Sequence, residues 1–314
     1  MLRVGLVLLP DFHVLSFAVL SVFEVANKRA GEKLYELHTL SESGGPVRTS
    51  FGTEVSTEPL DRNEFDTLLV GSGLEIPSVS PAMIAQLQEA LHSSRRIASI
   101  CVAAFALGEA GMLNGRRATT HWRYAAELQR RFPHSKVEID RIFTRDGSIW
   151  TSAGLMAGVD LALGLVESDH GRDLARTVAA SMVVHHRRAG GQSQHSALLD
   201  LDAKADKIQT ALAYARRNLH KSLDIGELAK AASLSPRQFT RVFRSETGTS
   251  PAKAIEALRL EAATLMLDQS RLPIETIAIE TGFGTRERMR RAFIRVHGEP
   301  PRALRKAAGP LVSI

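Results

Sequence analysis

Short apolar runs alternate with longer amphipathic stretches through the first 190 residues, the pattern of strands alternating with helices. Val4–Leu9, Tyr35–Leu40, Thr67–Val70, Ile97–Ile100 and Ile149–Thr151 read as strands. They are continuously apolar rather than alternating, as expected of strands covered by helices on both faces. Val14–Arg29, Pro81–His92, Val102–Ala110, Arg123–Phe132, Leu155–Val166 and Arg172–His186 read as helices. Parallel strands with right-handed helical crossovers predict a doubly wound α/β sheet, whose ligands bind beyond the carboxyl ends of the strands. The polar, glycine-bearing stretch Gly190-Gly191-Gln192-Ser193-Gln194-His195-Ser196 breaks this pattern, and from Asp206 onward only helical periodicity remains. The chain thus divides into a sheet domain (1–190), a linker (191–205) and an all-α domain (206–306).

The helical segment repeats itself. Ile225, Ala229 and Leu234 recur as Ile274, Ala278 and Phe283 at an offset of 49. Ser235, Phe239, Arg241, Phe243, Gly248 and Pro251 recur as Thr285, Met289, Arg291, Phe293, Gly298 and Pro301 at an offset of 50. One inserted residue at the turn, Gly284, accounts for the step, and the whole is a duplicated supersecondary unit. Each copy reads as helix, turn, helix. In the first, Asp224 caps Ile225–Ala232 with Glu227 three residues on, and Pro236 opens the next helix, where its missing N–H costs nothing. That helix turns Phe239, Val242 and Phe243 inward and Arg237, Thr240, Arg241 and Arg244 outward. In the second copy Thr285 caps, Met289, Ala292 and Phe293 face inward, and Arg286, Arg288, Arg290, Arg291 and Arg295 face outward.

Composition adds the sign of the partner. The 314 residues are 44% apolar and 24% charged, enough for two packed domains, and the net charge is +6. Residues 1–205 carry 21 basic against 23 acidic side chains, whereas residues 206–314 carry 19 against 11. A basic module on a slightly acidic scaffold points to a polyanion partner. No run approaches 18 apolar residues, so no membrane-spanning helix is expected. Val4–Leu9 ends at Pro10-Asp11, too short for a secretory signal. A single cysteine, Cys101, excludes an intrachain disulfide and cysteine-rich metal centres, and cytoplasmic residence is the simple expectation. His185 and His186 are adjacent, so on a helix they point about 100° apart and cannot share an ion. Neither a metal nor a cofactor is expected.

Five arginines in ten residues, opposed only by Glu287, form a self-repelling face unless a polyanion covers it. Arginine suits bidentate contact to guanine edges and phosphate, and short helix–turn–helix units presenting it read the major groove. On these residues, 206–306 resembles the AraC/XylS family of transcription regulators. The run from Ile274 through Gly282-Phe283 and Arg291-Ala292-Phe293 to Gly298-Glu299-Pro300-Pro301-Arg302 follows that family's signature. The resemblance implies two helix–turn–helix units joined by a long helix, about Pro251–Leu267, spanning roughly 25 Å at 1.5 Å per residue. It implies double-stranded DNA as partner, with Arg237, Thr240 and Arg241, then Arg286, Arg290 and Arg291, facing bases. Arg244 and Arg288 share those faces.

In the sheet domain, Ile97–Ile100 runs straight into Cys101, and a helix begins at once. A side chain at such a strand-to-helix turn sits above the sheet, as in a nucleophile elbow, where the helix dipole favours thiolate. His121 lies 20 residues on. By composition alone the cysteine is either inert core or a poised thiol. The motifs Ser99-Ile100-Cys101, Gly115-Arg116-Arg117-Ala118-Thr119-Thr120-His121-Trp122 and Ala153-Gly154-Leu155-Met156-Ala157-Gly158 resemble the ThiJ/PfpI superfamily, related to class I glutamine amidotransferases. That resemblance implies a flavodoxin-like sheet with Cys101 at the nucleophile position and His121 at the downstream histidine. It also implies a loop, Gly71-Ser72-Gly73, that supplies an oxyanion-hole N–H together with Val102. The superfamily's carboxylate aligns with Ser16, and the histidine that follows the nucleophile in its protease branch is Val102 here. With two AraC-type units behind it, the arrangement resembles that of the GlxA-like regulators. The expected function is a DNA-binding transcription regulator controlled by a small-molecule effector near Cys101, a homodimer by resemblance, and not an enzyme. A cysteine hydrolase or hydratase with an appended DNA-binding domain is the alternative.

Overall fold

The apolar runs pair into one sheet. β1 (Leu2–Leu8) lies inside it, with β2 (Tyr35–Ser41) parallel on one side and β5 (Thr67–Gly71) parallel on the other. β6 (Arg96–Ser99) and β10 (Ile149–Ser152) continue the parallel array beyond β5. β3 (Gly45–Arg48) and β4 (Glu54–Pro59) close one edge, and β9 (Phe143–Asp146) runs antiparallel at the other, giving the order β3-β4-β2-β1-β5-β6-β10-β9. The two-residue strands β7 (Arg117–Ala118) and β8 (Lys136–Val137) form a separate small ladder. The computed structural model describes residues 1–60, 65–184, 190, 194 and 206–303, in two units, Met1–Gln194 and His195–Ile314.

Helices α1 (Ala18–Ala30), α2 (Pro81–Ser93), α3 (Ala104–Glu109), α4 (Trp122–Arg131), α5 (Leu155–His170) and α6 (Arg172–Ser181) flank the sheet. Two of the expected helices begin differently. Val14–Phe17 and Cys101–Ala103 are 3-10 turns, so α1 and α3 start late. The last helix ends at Ser181, and His185 and His186 lie outside the described residues, as does most of the 191–205 linker. α5 is buried over Ala157–Val166 without a break, as a helix apolar all round must be. At the amino end of the strands, Asp169 accepts hydrogen bonds from Arg95 (2.6 Å), Arg96 (2.9 Å) and Tyr35 (3.0 Å). Burial alone would raise the Asp169 carboxyl, yet Arg96 and Arg95 hold it below its ordinary value.

The second unit contains α7 (Asp206–Arg217), α8 (Ile225–Ala231), α9 (Pro236–Thr247), α10 (Pro251–Gln269), α11 (Ile274–Glu280) and α12 (Arg286–His297). Its turns follow the sequence closely. Asp224 accepts the Glu227 N–H at 2.7 Å, Ser235 and Gln238 form a reciprocal capping box, and Thr285 accepts the Arg288 N–H at 3.3 Å. The two turns match: Leu234 N–H bonds to Ala229 O, and Gly284 N–H, one residue later in register, bonds to Ala278 O, both at 2.9 Å. The connecting helix runs two residues beyond the expected end, to Gln269. No helix among the described residues is long and apolar enough to cross a membrane.

Candidate ligand site and nucleic-acid interface

The chain leaves β1 toward one edge and later fills the other side with β5, β6 and β10, so the carboxyl ends of β1 and β5 form the switch point where such sheets bind ligands. Backbone bonds stitch the two loops there, from Leu9 N–H to Gly71 O and from His13 N–H to Ser72 O, both 3.0 Å. Gly73 lies so close to Asp11 O that a Cβ would approach it to 2.9 Å. Ser16, carried by the 3-10 turn, packs fully buried against Gly71, where a Cβ would come within 2.9 Å of the serine Cβ. Glycine at 71 is what lets this turn close. The Ser16 hydroxyl has no hydrogen-bond partner among the described residues.

Cys101 stands at the carboxyl end of β6 with φ +57°, in the left-handed region that a non-glycine residue enters at a cost of roughly 1–2 kcal/mol. The Ile100 N–H bonds to Val70 O (3.0 Å), and Thr120 Oγ1 donates to Cys101 O (2.9 Å), which fixes the turn from both sides. The expected thiolate does not follow. Burial pushes the Cys101 thiol up to about 11, and the Val102 N–H offsets this only in part. The thiol is 4% exposed, and the six-residue α3 begins three residues beyond it, so the helix dipole is short and displaced while desolvation acts in full.

His121 caps α4, its Nδ1 accepting the Arg123 N–H at 3.3 Å. The loop after β10 lies alongside, with the site of a Gly154 Cβ 3.8 Å from His121 Cδ2. Three residues escaped the sequence reading. Tyr124 donates its hydroxyl to Glu75, a bond that holds the phenol above its ordinary value, with Cys101 adding to the effect. Glu75 follows the Gly71–Gly73 loop in a stretch with no periodicity to mark it. Gln194 was read as linker, yet its side chain donates to Thr120 O and Ile139 O (both 2.8 Å) and accepts the Trp122 N–H (2.8 Å). It therefore clamps the segment that also holds the Cys101 carbonyl.

In the second unit, Arg237, Thr240, Arg241 and Arg244 are exposed and line one concavity of about 840 Å³ with Ile225, Pro236 and Ser245. Phe239 and Phe243 are buried behind them. Arg286, Arg288, Arg290 and Arg291 are exposed on α12 over buried Met289, Ala292 and Phe293. Their self-repulsion is lower than the sequence suggests, because Glu287 is not the only acid opposing them. Arg290 (3.3 Å) and Arg291 (3.1 Å) share Glu287, Arg286 pairs with Glu275 (3.2 Å), and Arg295 with Glu256 (2.5 Å). Glu275 comes from the preceding helix α11 and Glu256 from the connecting helix α10. These pairs are exposed and weak, so phosphate can displace them. Among the described residues no cluster of side chains could hold a metal ion.

Residues 15–168 match the DJ-1/PfpI family and residues 228–307 match a helix-turn-helix domain. The HTH-type transcriptional regulator GlxA of Rhizobium meliloti is 31% identical over 98% of this chain and 96% of its own length. A crystal structure of an AraC family transcriptional regulator from Pseudomonas putida superposes with a TM-score of 0.54 at 28% identity, over 58% of this chain and all of that one. The isonitrile hydratase of Pseudomonas putida is 30% identical over 46% of this chain and 63% of its own length. The chain belongs to the HTH-type transcriptional regulators in which a DJ-1/PfpI unit precedes an AraC-type helix-turn-helix unit, and it is a DNA-binding regulator of transcription.

Proposed function

We propose that this regulator responds to a small-molecule effector held among Ser16, Gly71–Gly73, Cys101, Val102 and His121, and that it does so without catalysis. The observation that carries the reading is Ser16. By the resemblance it stands where the superfamily has a carboxylate, and its buried hydroxyl has no partner among the described residues. A cysteine nucleophile needs a group that takes its proton and returns it to the leaving atom. A serine hydroxyl does neither near neutral pH, and the Glu75 carboxylate is engaged by Tyr124. An unpaired buried hydroxyl calls for a ligand or water partner, which suits recognition. Residues 191–205 serve as the linker, the sheet unit forms a homodimer, and the protein works in the cytoplasm.

On the DNA side, Arg237, Thr240, Arg241 and Arg244 of α9 and Arg286, Arg288, Arg290 and Arg291 of α12 contact successive major grooves. The alternative, a cysteine hydrolase or hydratase, is favoured by the similarity to isonitrile hydratase. One set of assays separates the two. A thermal-shift screen of small nitrogenous metabolites, with hits tested for altered DNA affinity, identifies an effector. Multiple-turnover assays on peptides, amides and isonitriles compare wild type with Cys101→Ala. The effector reading expects a hit and no turnover; turnover abolished by Cys101→Ala would overturn it.

A further inference from the structure

The two helix–turn–helix modules have separate apolar cores. Leu228, Ala229, Phe239 and Phe243 centre the first, and Ile277, Ala278, Met289 and Phe293 the second. α10 serves both in turn: Ala254, Ile255 and Leu258 enter the first core, and Leu260, Ala263 and Leu267 the second. Each core holds its own module together, but neither sets the angle of one module against the other about α10. That angle decides whether two recognition helices reach two grooves at once.

Polar groups from three elements meet between the cores. Arg259 lies on α10 between the two sets of apolar residues. Its Nε donates to Leu219 O (3.3 Å) and its Nη2 to Lys221 O (2.7 Å), both in the loop between α7 and α8 of the first module. Gly282, in the turn of the second module, lies against the same Leu219 carbonyl. A Cβ at 282 would stand 1.8 Å from Leu219 O and 2.7 Å from Arg259 Nε, and Gly282 has φ +78°. The turn therefore reaches the loop only because residue 282 has no side chain, and the guanidinium holds that loop with two bonds in a fixed fork.

We propose that Arg259, the Leu219 carbonyl and Gly282 form a register lock that sets the spacing at which α9 and α12 meet the duplex, making Arg259 and Gly282 positioning residues for two-site DNA binding. The proposal rests on the reading of α9 and α12 as the two recognition helices. Two modules held in the right register bind as one, so their joint affinity exceeds either alone by orders of magnitude without new contacts. A loose junction forfeits that gain and leaves each module's own contacts intact.

The test uses the full-length protein and a duplex site selected from random DNA by the wild type. Derivatives carry either half scrambled or one base pair inserted between the halves. Gly282→Ala forces turn and loop apart; Arg259→Lys keeps the charge and loses the two-bond fork. The lock predicts a 10- to 100-fold loss on the intact site for each variant, half-site affinity within about twofold of wild type, and a smaller penalty for the inserted base pair. The double variant should lose little more than either single one, since both break one junction. Equal losses on intact and half sites, with the spacing penalty unchanged, would overturn the lock. A salt slope lowered by about one in the charge-removing variant Arg259→Gln, together with that equal loss, would make Arg259 a phosphate contact instead. Should Gly282→Ala fail to fold, Arg259→Lys decides alone. A selected site indifferent to scrambling of one half would overturn the reading of two recognition helices itself.

Discussion

Cys101 is a demanding place to test the account of the sheet unit, because its position and its surroundings pull in opposite directions. Burial lifts the thiol from an ordinary 9.0 to about 11. Two units reduce the thiolate fraction near neutral pH about a hundredfold. A more basic thiolate is intrinsically more nucleophilic, and a Brønsted slope of about 0.4–0.5 returns roughly six- to tenfold of that. Exchange with a small aromatic disulfide at pH 7.5 should therefore run at least about tenfold slower in the native protein than in the denatured chain. The native rate should still be rising with pH at pH 10. Stability should follow the same shift. Because the folded state holds this proton more tightly than the unfolded one, the contribution is complete below pH 9 and is lost as pH climbs toward 11. It amounts to about 3 kcal/mol at 1.36 kcal/mol per unit. Urea midpoints of wild type and Cys101→Ser across pH 8–11 isolate it, since serine does not titrate there and the other alkaline groups cancel in the difference. A native exchange rate that levels off at or below pH 8, or parallel pH profiles for the two proteins, would refute the reasoning.

Other residues give independent checks. Arg241→Ala and Arg291→Ala should each cost about 1–3 kcal/mol on a selected site and relax one base preference, measured by competition with single-base variants; equal losses on random DNA would show that these faces do not read bases. Asp169→Asn strips Arg95, Arg96 and Tyr35 of their shared carboxylate and should cost about 3–5 kcal/mol, or roughly 6–20 °C in the melting of the sheet unit; a change under 2 °C would contradict it. The wild-type contribution of that carboxylate is present above pH 4 and fades as pH falls through its depressed folded value, so acid melts of the two proteins should converge. Gln194→Ala removes the clamp on 119–122 and should raise amide exchange at Trp122 at least tenfold; unchanged exchange there would mean the clamp carries no load.

β1, β5, β6 and β10 were legible as short, mainly apolar runs and β2 by its alternating Tyr35, Leu37 and Thr39, while β3, β4 and β9 were not. β3 and β9 are the edge strands, and β3 opens Gly45-Pro46, tolerated only where one side of a strand lacks a neighbour; β4, next to that edge, is largely exposed and alternates. The helix–turn–helix units were legible almost to the residue because capping serines, prolines and inward aromatics act over three or four positions. What escaped was long-range: Gln194 closing on Thr120, Glu75 meeting Tyr124, and Glu275 and Glu256 neutralising arginines of α12. Each joins residues that no local pattern relates. The thiol was misjudged for a related reason, since position in a turn can be read from sequence and the depth of burial around it cannot.

A left-handed cysteine persists only where its surroundings over-determine it. At Cys101 they do: β6 pairs up to its last residue, Ile100 bonds to Val70, and Thr120 holds the carbonyl beyond. In a nucleophile elbow that strain presents a thiolate to substrate. Here the same strain presents a buried thiol that desolvation keeps protonated, while the Nδ1 of His121 caps α4. What the turn still delivers is shape, because it fixes the thiol and the Val102 N–H at the ends of the strands, next to the loop at Gly71. Thr120 joins this turn to the segment that Gln194 clamps, and Gln194 is the last residue of the sheet unit. A ligand that displaced Thr120 would pull on the point where the chain leaves that unit. In the effector reading proposed above, the strain that would serve chemistry in an enzyme instead keeps a recognition surface rigid enough for its occupancy to be felt at residue 194.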